Sequence, residues 1–287
     1  MSYRIFTDAT SDLPTKITEQ LNIAVLPMGF TMDEKEYFYI PGRSDMPIET
    51  FYEKMRAGVK AITAQINDYT FIEAFEPVLK AGEDVLYIGL SSKLSGTVQS
   101  AVNAAKELSA KYPERKVVVI DSYSGSLGEG LLVYYAARKK DLSLDELAMW
   151  VEENKLRFAH WVTVDDLVYL KSGGRISGST AAIATVLNIK PIMHMDNDGY
   201  LVAAEKVHGR KKALRALFDR MEKTVDTVAT DTMFIGHCDA VADAEYVATL
   251  IREKYPNMIV HIDTIGTSIG AHTGPGTIAL FFVANER

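Results

Sequence analysis

The sequence predicts an α/β protein of two domains, the first built on a largely parallel sheet flanked by helices. Three observations carry this. Apolar strand-like runs alternate with segments of helical period through the first half, as where 84–90 is followed by 96–112. A hairpin signal, Asp196-Asn197-Asp198-Gly199 between two apolar runs, appears only in the second half. The chain has 287 residues, 47% of them hydrophobic, enough for a substantial core and two domains.

Taken in order, 3–7 reads as a buried strand ending at Asp8. Ser11 or Asp12 can cap a helix with Pro14 in its first turn. A second strand covers 23–32, and helices cover 47–58 and 68–81. The strand 84–90 leads to the helix 96–112, whose apolar face holds Val98, Ala101, Val102, Ala105 and Leu108, and then to the strand 117–121. Alternation of this kind implies a parallel sheet covered on both faces. Helices at 127–139 and 144–155 lead to the second region. There a strand at 161–164, a helix at 178–187 and the hairpin strands 189–194 and 200–206 are expected. The remaining elements are 210–225 helix, 232–237 strand, 240–254 helix, 259–265 strand and 277–283 strand. A boundary near residue 156 gives an N-terminal domain, 1–156, and a smaller α/β C-terminal domain, 157–287. No low-complexity linker separates them, so tight packing is expected.

The formal net charge of −7 argues against nucleic-acid binding, which needs a basic face. Cys238 is the only cysteine, so no intrachain disulfide can form. The first residues lack the apolar run of a signal peptide, and the longest apolar stretch, 278–284, is far too short to span a bilayer. The expectation is a soluble cytoplasmic protein with at most transient membrane contact.

Ligands of parallel sheets gather at the C-terminal ends of strands, where Asp8, 91–95 and Asp121-Ser122 fall. The turn Ser91-Ser92-Lys93-Leu94-Ser95-Gly96-Thr97 joins a strand to a helix N-terminus, an arrangement suited to anions. From local sequence alone, Ser95 there reads first as a plain cap and second as a ligand contact. Thr63 falls in a loop that can lean over the same edge. Gly125-Ser126-Leu127-Gly128-Glu129-Gly130 has the wrong spacing for a dinucleotide fingerprint, and Glu129 would oppose a pyrophosphate, so close helix packing is the better reading. No Walker A motif is present. Arg175, after Gly173-Gly174, either faces an anion or is an exposed residue beyond a helix end. His272 heads what reads as an exposed loop, 268–276. Lys206, Arg210, Lys211, Lys212 and Arg215 cluster at a helix start, where cations oppose the dipole. His237-Cys238-Asp239 has no companion cluster, so no metal site is expected, and no nucleophile elbow supports hydrolysis.

Five motifs in order complete the reading: Phe6-Thr7-Asp8-Ala9-Thr10-Ser11-Asp12-Leu13-Pro14, Thr63-Ala64-Gln65, the 91–97 turn, Tyr169-Leu170-Lys171-Ser172-Gly173-Gly174-Arg175-Ile176-Ser177 and His272-Thr273-Gly274-Pro275-Gly276. Together they resemble the DegV family of bacterial fatty-acid-binding proteins, over essentially the whole chain. The resemblance implies a two-domain DegV-like fold with one long-chain fatty acid buried at or near the domain interface, and no other cofactor. It implies that Thr63 and Ser95 hold the carboxylate, with Gly96 adding a backbone N–H. His272 would lie close to the head group and Arg175 near the pocket mouth. It further implies that a separate ATP-dependent fatty acid kinase acts on the bound acid. Two positions depart from the pattern: Ile66 stands where the family often has Pro, and His208 where it often has Arg. Docking of the kinase would then differ at His208 or lean on Arg210. Two rival functions are an enzyme acting on a small carboxylated or phosphorylated metabolite, and a lipid-sensing regulator.

Overall fold

The computed structural model describes residues 2–175 and 188–287. Its first sheet holds four parallel strands, β1 (Tyr3–Asp8), β2 (Ala24–Leu26), β7 (Asp84–Gly89) and β8 (Val117–Asp121), in the order β2-β1-β7-β8. Every residue of β7 is buried, as expected for a strand covered on both faces. The helices α3 (Asp68–Lys80) and α4 (Thr97–Lys111) pack on it together, as do α5 (Leu127–Ala137) and α6 (Leu144–Asn154). A six-stranded mixed sheet follows, built from β9 (Phe158–Thr163), β10 (Ile189–Met195), β11 (Leu201–His208), β12 (Thr232–His237), β13 (Ile259–Thr264) and β14 (Ile278–Val283). Its order is β11-β10-β9-β14-β12-β13, and only β12 and β13 run parallel among these pairs. Helices α8 (Arg210–Thr224) and α9 (Val241–Lys254) pack on this sheet.

α5 contacts both sheets. Its first seven residues are all buried, so it has no solvent face to make polar. The glycines of 125–130 explain how it fits. A Cβ at Gly130 would lie 2.4 Å from the Ser11 carbonyl oxygen, and one at Gly128 would lie 2.0 Å from Nε2 of His160. These glycines allow close packing, as the sequence suggested; one buried cluster joins the sheets from Ile5 to Val283, and a second lies under α8 and α9.

Several elements differ from expectation. The strand expected over 23–32 is two strands in two sheets. Pro27, which has no N–H to give a ladder, separates β2 from β3 (Met28–Met32). β3 belongs to a small antiparallel sheet, order β5-β4-β3-β6, with β4 (Lys35–Ile40), β5 (Arg43–Ser44) and β6 (Ala61–Ala64). The β3–β4 turn holds Asp33 at φ 51° and Glu34 at φ 61°, a left-handed pair without the Asn-Gly or Asp-Gly that usually announces it. Thr63 therefore sits on a strand, not in a loop. The segment 268–276 is not an exposed loop: α10 (Thr267–Thr273) runs through it, and its Thr267, Ser268, Gly270 and Thr273 are buried. Val102 is 43% exposed, and Ala104 takes its place on the buried face of α4. Helix α1 (Thr15–Gln20) starts after Pro14 with no side-chain cap. Two further helices among the described residues are α2 (Ile48–Arg56) and α7 (Val168–Gly173). The helix expected over 178–187 lies outside the described residues. Among those residues, no helix is long and apolar enough to cross a membrane.

Asp12, expected to cap, instead ties distant segments together. It accepts the Ser126 hydroxyl at 2.6 Å and the Gly266 N–H at 2.9 Å. Burial pushes its carboxyl up to about 7 against the pull of those two bonds. The folded chain therefore keeps a proton that the unfolded chain loses near pH 4, and stability falls as pH rises from about 4 to about 7. Asp12→Asn keeps an acceptor and removes the titration. Relative to the parent, this variant should gain stability between about pH 5 and about pH 8, by an amount on the order of a few kcal/mol. Urea unfolding at both pH values reads the difference, and a pH-independent difference would contradict the assignment.

Candidate functional site

A cavity of about 280 Å³ lies where the three sheets meet, its wall drawn from β3, β6, β9, β14, α10 and the turns after β1 and β7. That is close to the lower end of ordinary ligand pockets, roughly 300–1,000 Å³. Strand periodicity explains the wall. On β14, Ile278, Leu280 and Phe282 enter the core under α8 and α9, while Ala279 and Phe281 face the other way and line the cavity. On β9, His160 and Val162 do the same, paired with Phe281 and Ala279 respectively. Met28, Leu90, Leu170, Met195, Leu201 and Ile269 complete a largely apolar interior.

One end is polar. Thr63, brought in by β6, has its Oγ1 at 3.0 Å from Nε2 of His272. Burial pushes the His272 imidazole down to about 4, with the Arg175 guanidinium adding to the effect. The ring is neutral near pH 7, so it offers one N–H and one lone pair. A proton on Nε2 would be donated to Thr63 and leave the Thr63 hydroxyl free to donate to a ligand. Gly173 makes room for this ring, since a Cβ there would lie 2.3 Å from Nδ1. Nδ1 itself is buried and has no partner among the described residues.

Ser95 lies at the same end, half-buried before α4. Its Oγ accepts the Thr97 N–H at 3.3 Å and lies 2.9 Å from the Thr97 hydroxyl. It is thus both a weak cap and a wall of the cavity. Gly96 is exposed and lies under the Gln65 side chain, whose Oε1 would be 2.4 Å from an added Cβ. Arg175 is exposed and spans the rim, its Nε donating to the Leu94 carbonyl at 3.2 Å and its Nη1 to the Gly173 carbonyl at 2.5 Å.

Thr63, Ser95, Gly96, His272 and Arg175 thus surround one cavity. His208 and Arg210 do not line it. His208 is exposed, with Nε2 at 3.3 Å from Nδ2 of Asn188. Arg210 pairs with Asp243 at 2.7 Å and donates to the Gly276 carbonyl at 2.5 Å, which makes it a brace for the turn after α10. One site residue was missed. Ser268 is 5% exposed and lines the cavity, and its hydroxyl has no partner among the described residues. It stands one helical turn before His272, a spacing that would have shown both on one face had 267–273 been read as a helix. Among the described residues there is no cluster that could hold a metal ion.

The class defined so far is an α/β protein with an internal apolar cavity headed by neutral hydrogen-bond donors. The chain belongs to the DegV family, whose model, described as "Uncharacterised protein, DegV family", matches residues 2–285. A DegV domain-containing protein of Clostridium perfringens is 45% identical over 285 residues, covering 99% of this chain and 98% of that protein. The structure of a DegV family protein from Thermus thermophilus, described for its fatty acid binding, superposes with a TM-score of 0.87 at 26% identity, covering 99% of this chain and 100% of that one. DegV from Bacillus subtilis, described as a fatty acid binding protein, gives a TM-score of 0.85 at 27% identity, covering 99% of this chain and 100% of that one.

Proposed function

We propose that this protein binds one long-chain fatty acid in the cavity, with the carboxylate at the Thr63–His272 end, and presents it to a separate ATP-dependent fatty acid kinase that forms the acyl phosphate. The protein is the carrier and the kinase owns the ATP chemistry. The observation that carries the reading is a largely apolar cavity with the Thr63 hydroxyl and the neutral His272 imidazole paired at one end, beside Ser95 and Ser268. Such a shape suits an amphiphile with a long tail and a small acidic head. Each buried methylene contributes roughly 0.8 kcal/mol, so a dozen supply about 10 kcal/mol. That offsets much of an association cost of roughly 4–15 kcal/mol.

The head group then needs orientation more than charge. Thr63, Ser95 and Ser268 donate hydroxyls, Gly96 a backbone N–H, and no lysine or arginine is among the groups assigned to it. A carboxylate held by neutral donors keeps its oxygens reactive toward a phosphoryl group, whereas a buried ion pair would hold it tightly. Arg175 at the rim is assigned to the mouth, and exposed His208 with half-buried Arg210 to partner contact. The division near residue 156 belongs to the same reading, with the ligand between domains 1–156 and 157–287.

Thr63→Val keeps the shape and removes the donor. It should weaken palmitate binding about tenfold, and Ser268→Ala by a similar factor. Titration calorimetry with delipidated protein measures both. In a reconstituted reaction with the kinase, Thr63→Val loaded with acid should be phosphorylated more slowly than the parent. A Thr63→Val protein with unchanged affinity and unchanged phosphorylation would remove Thr63 from the site.

A further inference from the structure

The apolar end of the cavity contains a polar group that a plain fatty acid does not use. His160 is only 2% exposed, and its ring forms part of the cavity wall. Neither ring nitrogen has a hydrogen-bond partner among the described residues. Burial, helped by Arg287, holds the imidazole neutral against the pull of the Phe158 backbone. A neutral imidazole has one N–H and one lone pair, and burying both without partners is costly.

Aromatic and aliphatic side chains flank the ring on the cavity side. His160 meets Phe281 edge-on at 5.3 Å between ring centroids. It stands two residues along β9 from Val162, about 7 Å at strand rise, on the same cavity-facing row. The row begins at Thr277, whose hydroxyl donates to the Thr273 carbonyl beside His272, so His160 lies farther from the Thr63–His272 end than Val162 does. A ligand seated with its head at Thr63 would bring its tail to His160. Gly128 leaves room for this ring, where any side chain would collide with it. The backbone of α5 is thus arranged to accept an imidazole in a place where a leucine or phenylalanine would cost nothing in hydrogen bonds.

We propose that the cavity is built for an acyl chain that carries a hydrogen-bonding oxygen, a hydroxyl or oxo group, in its tail, and that His160 recognises that oxygen. This rests on the fatty-acid reading above and deepens it. A tail hydroxyl can meet one ring nitrogen, donating to the lone pair or accepting the N–H, and an oxo group can accept the N–H. The same hydroxyl in a purely apolar tunnel would be left unpaired and would weaken binding.

The test titrates delipidated protein with stearate and with a positional series of hydroxystearates. In the parent protein, one positional isomer should bind at least as tightly as stearate. His160→Phe should lower the affinity of that isomer relative to stearate about tenfold or more. Should the phenylalanine protein not fold, His160→Met is the apolar replacement and the same ratio decides. The proposal is overturned if every isomer binds more weakly than stearate to the parent, or if the apolar variant leaves the isomer-to-stearate ratio unchanged. Stearate itself failing to bind the parent would remove the fatty-acid reading and this proposal together.

Discussion

Ala279→Trp should abolish long-chain fatty-acid binding and leave the chain folded. Ala279 is 2% exposed on β14, which pairs with β9 on one side and β12 on the other, and its side chain lines the cavity. An indole placed there takes the volume the acyl chain needs. The cost to folding is that of overpacking, about 1–3 kcal/mol, and less where a cavity receives the added atoms. A chain with ordinary stability, roughly 5–15 kcal/mol, survives it. Binding has no such reserve, because its favourable free energy comes from the methylenes displaced. The loss of affinity should exceed about a hundredfold, equivalent to about 2.8 kcal/mol. Ala279→Leu fills less space and should shift the preference toward shorter acids. Titration with palmitate and with a medium-chain acid reads both effects, and a thermal melt confirms folding. Full palmitate affinity in a folded tryptophan variant would place the ligand elsewhere.

Gly130→Ala should destabilise the chain by about 3 kcal/mol, against the usual trend. In a helix interior, alanine is favoured over glycine by about 1 kcal/mol. Here the added methyl would lie 2.4 Å from the Ser11 carbonyl oxygen and 3.0 Å from Cγ of Leu13. Backbone cannot swing aside as a side-chain end can, and Ser11 is fixed by its own hydroxyl donating to the Asp8 carbonyl at 2.8 Å. Either the turn at 9–11 or α5 must move, and both belong to the buried core. The steric cost outweighs the propensity gain. Gly96→Ala is the control, because its added methyl meets only the movable end of Gln65. Urea unfolding should show a large loss for the first and a change within about 1 kcal/mol for the second.

The parallel sheet and its helices were legible because apolar runs such as 84–90 alternate with helical segments such as 96–112, whose apolar face repeats at helical spacing. The small antiparallel sheet was not, for local reasons. Pro27 divides one apolar run between two sheets, and the Asp33–Glu34 turn reaches positive φ without glycine. The helix at α10 was hidden by its glycine. Gly270 lets the Tyr52 hydroxyl approach on its way to the Ile265 carbonyl, 2.5 Å from it, and a glycine that admits a neighbour reads the same as one that makes a turn. That misreading also concealed Ser268 beside His272.

At the site, local sequence read Ser95 first as a cap and only second as a ligand contact, and the structure shows it in contact with both the helix start and the cavity. Thr63 and His272 came from the family's motifs, since 209 residues separate two atoms that lie 3.0 Å apart. His160 had no local signal at all. Its significance depends on the alternation of β9 against β14 and on the absence of partners, and neither is visible before the chain is folded.

The most direct measurement is native mass spectrometry of the purified protein, followed by delipidation and re-addition of palmitate. The expected result is one added mass per chain, matching a single long-chain fatty acid, lost on delipidation and restored by palmitate. A purified chain with no added mass that also takes up neither palmitate nor stearate would contradict fatty-acid binding in this cavity.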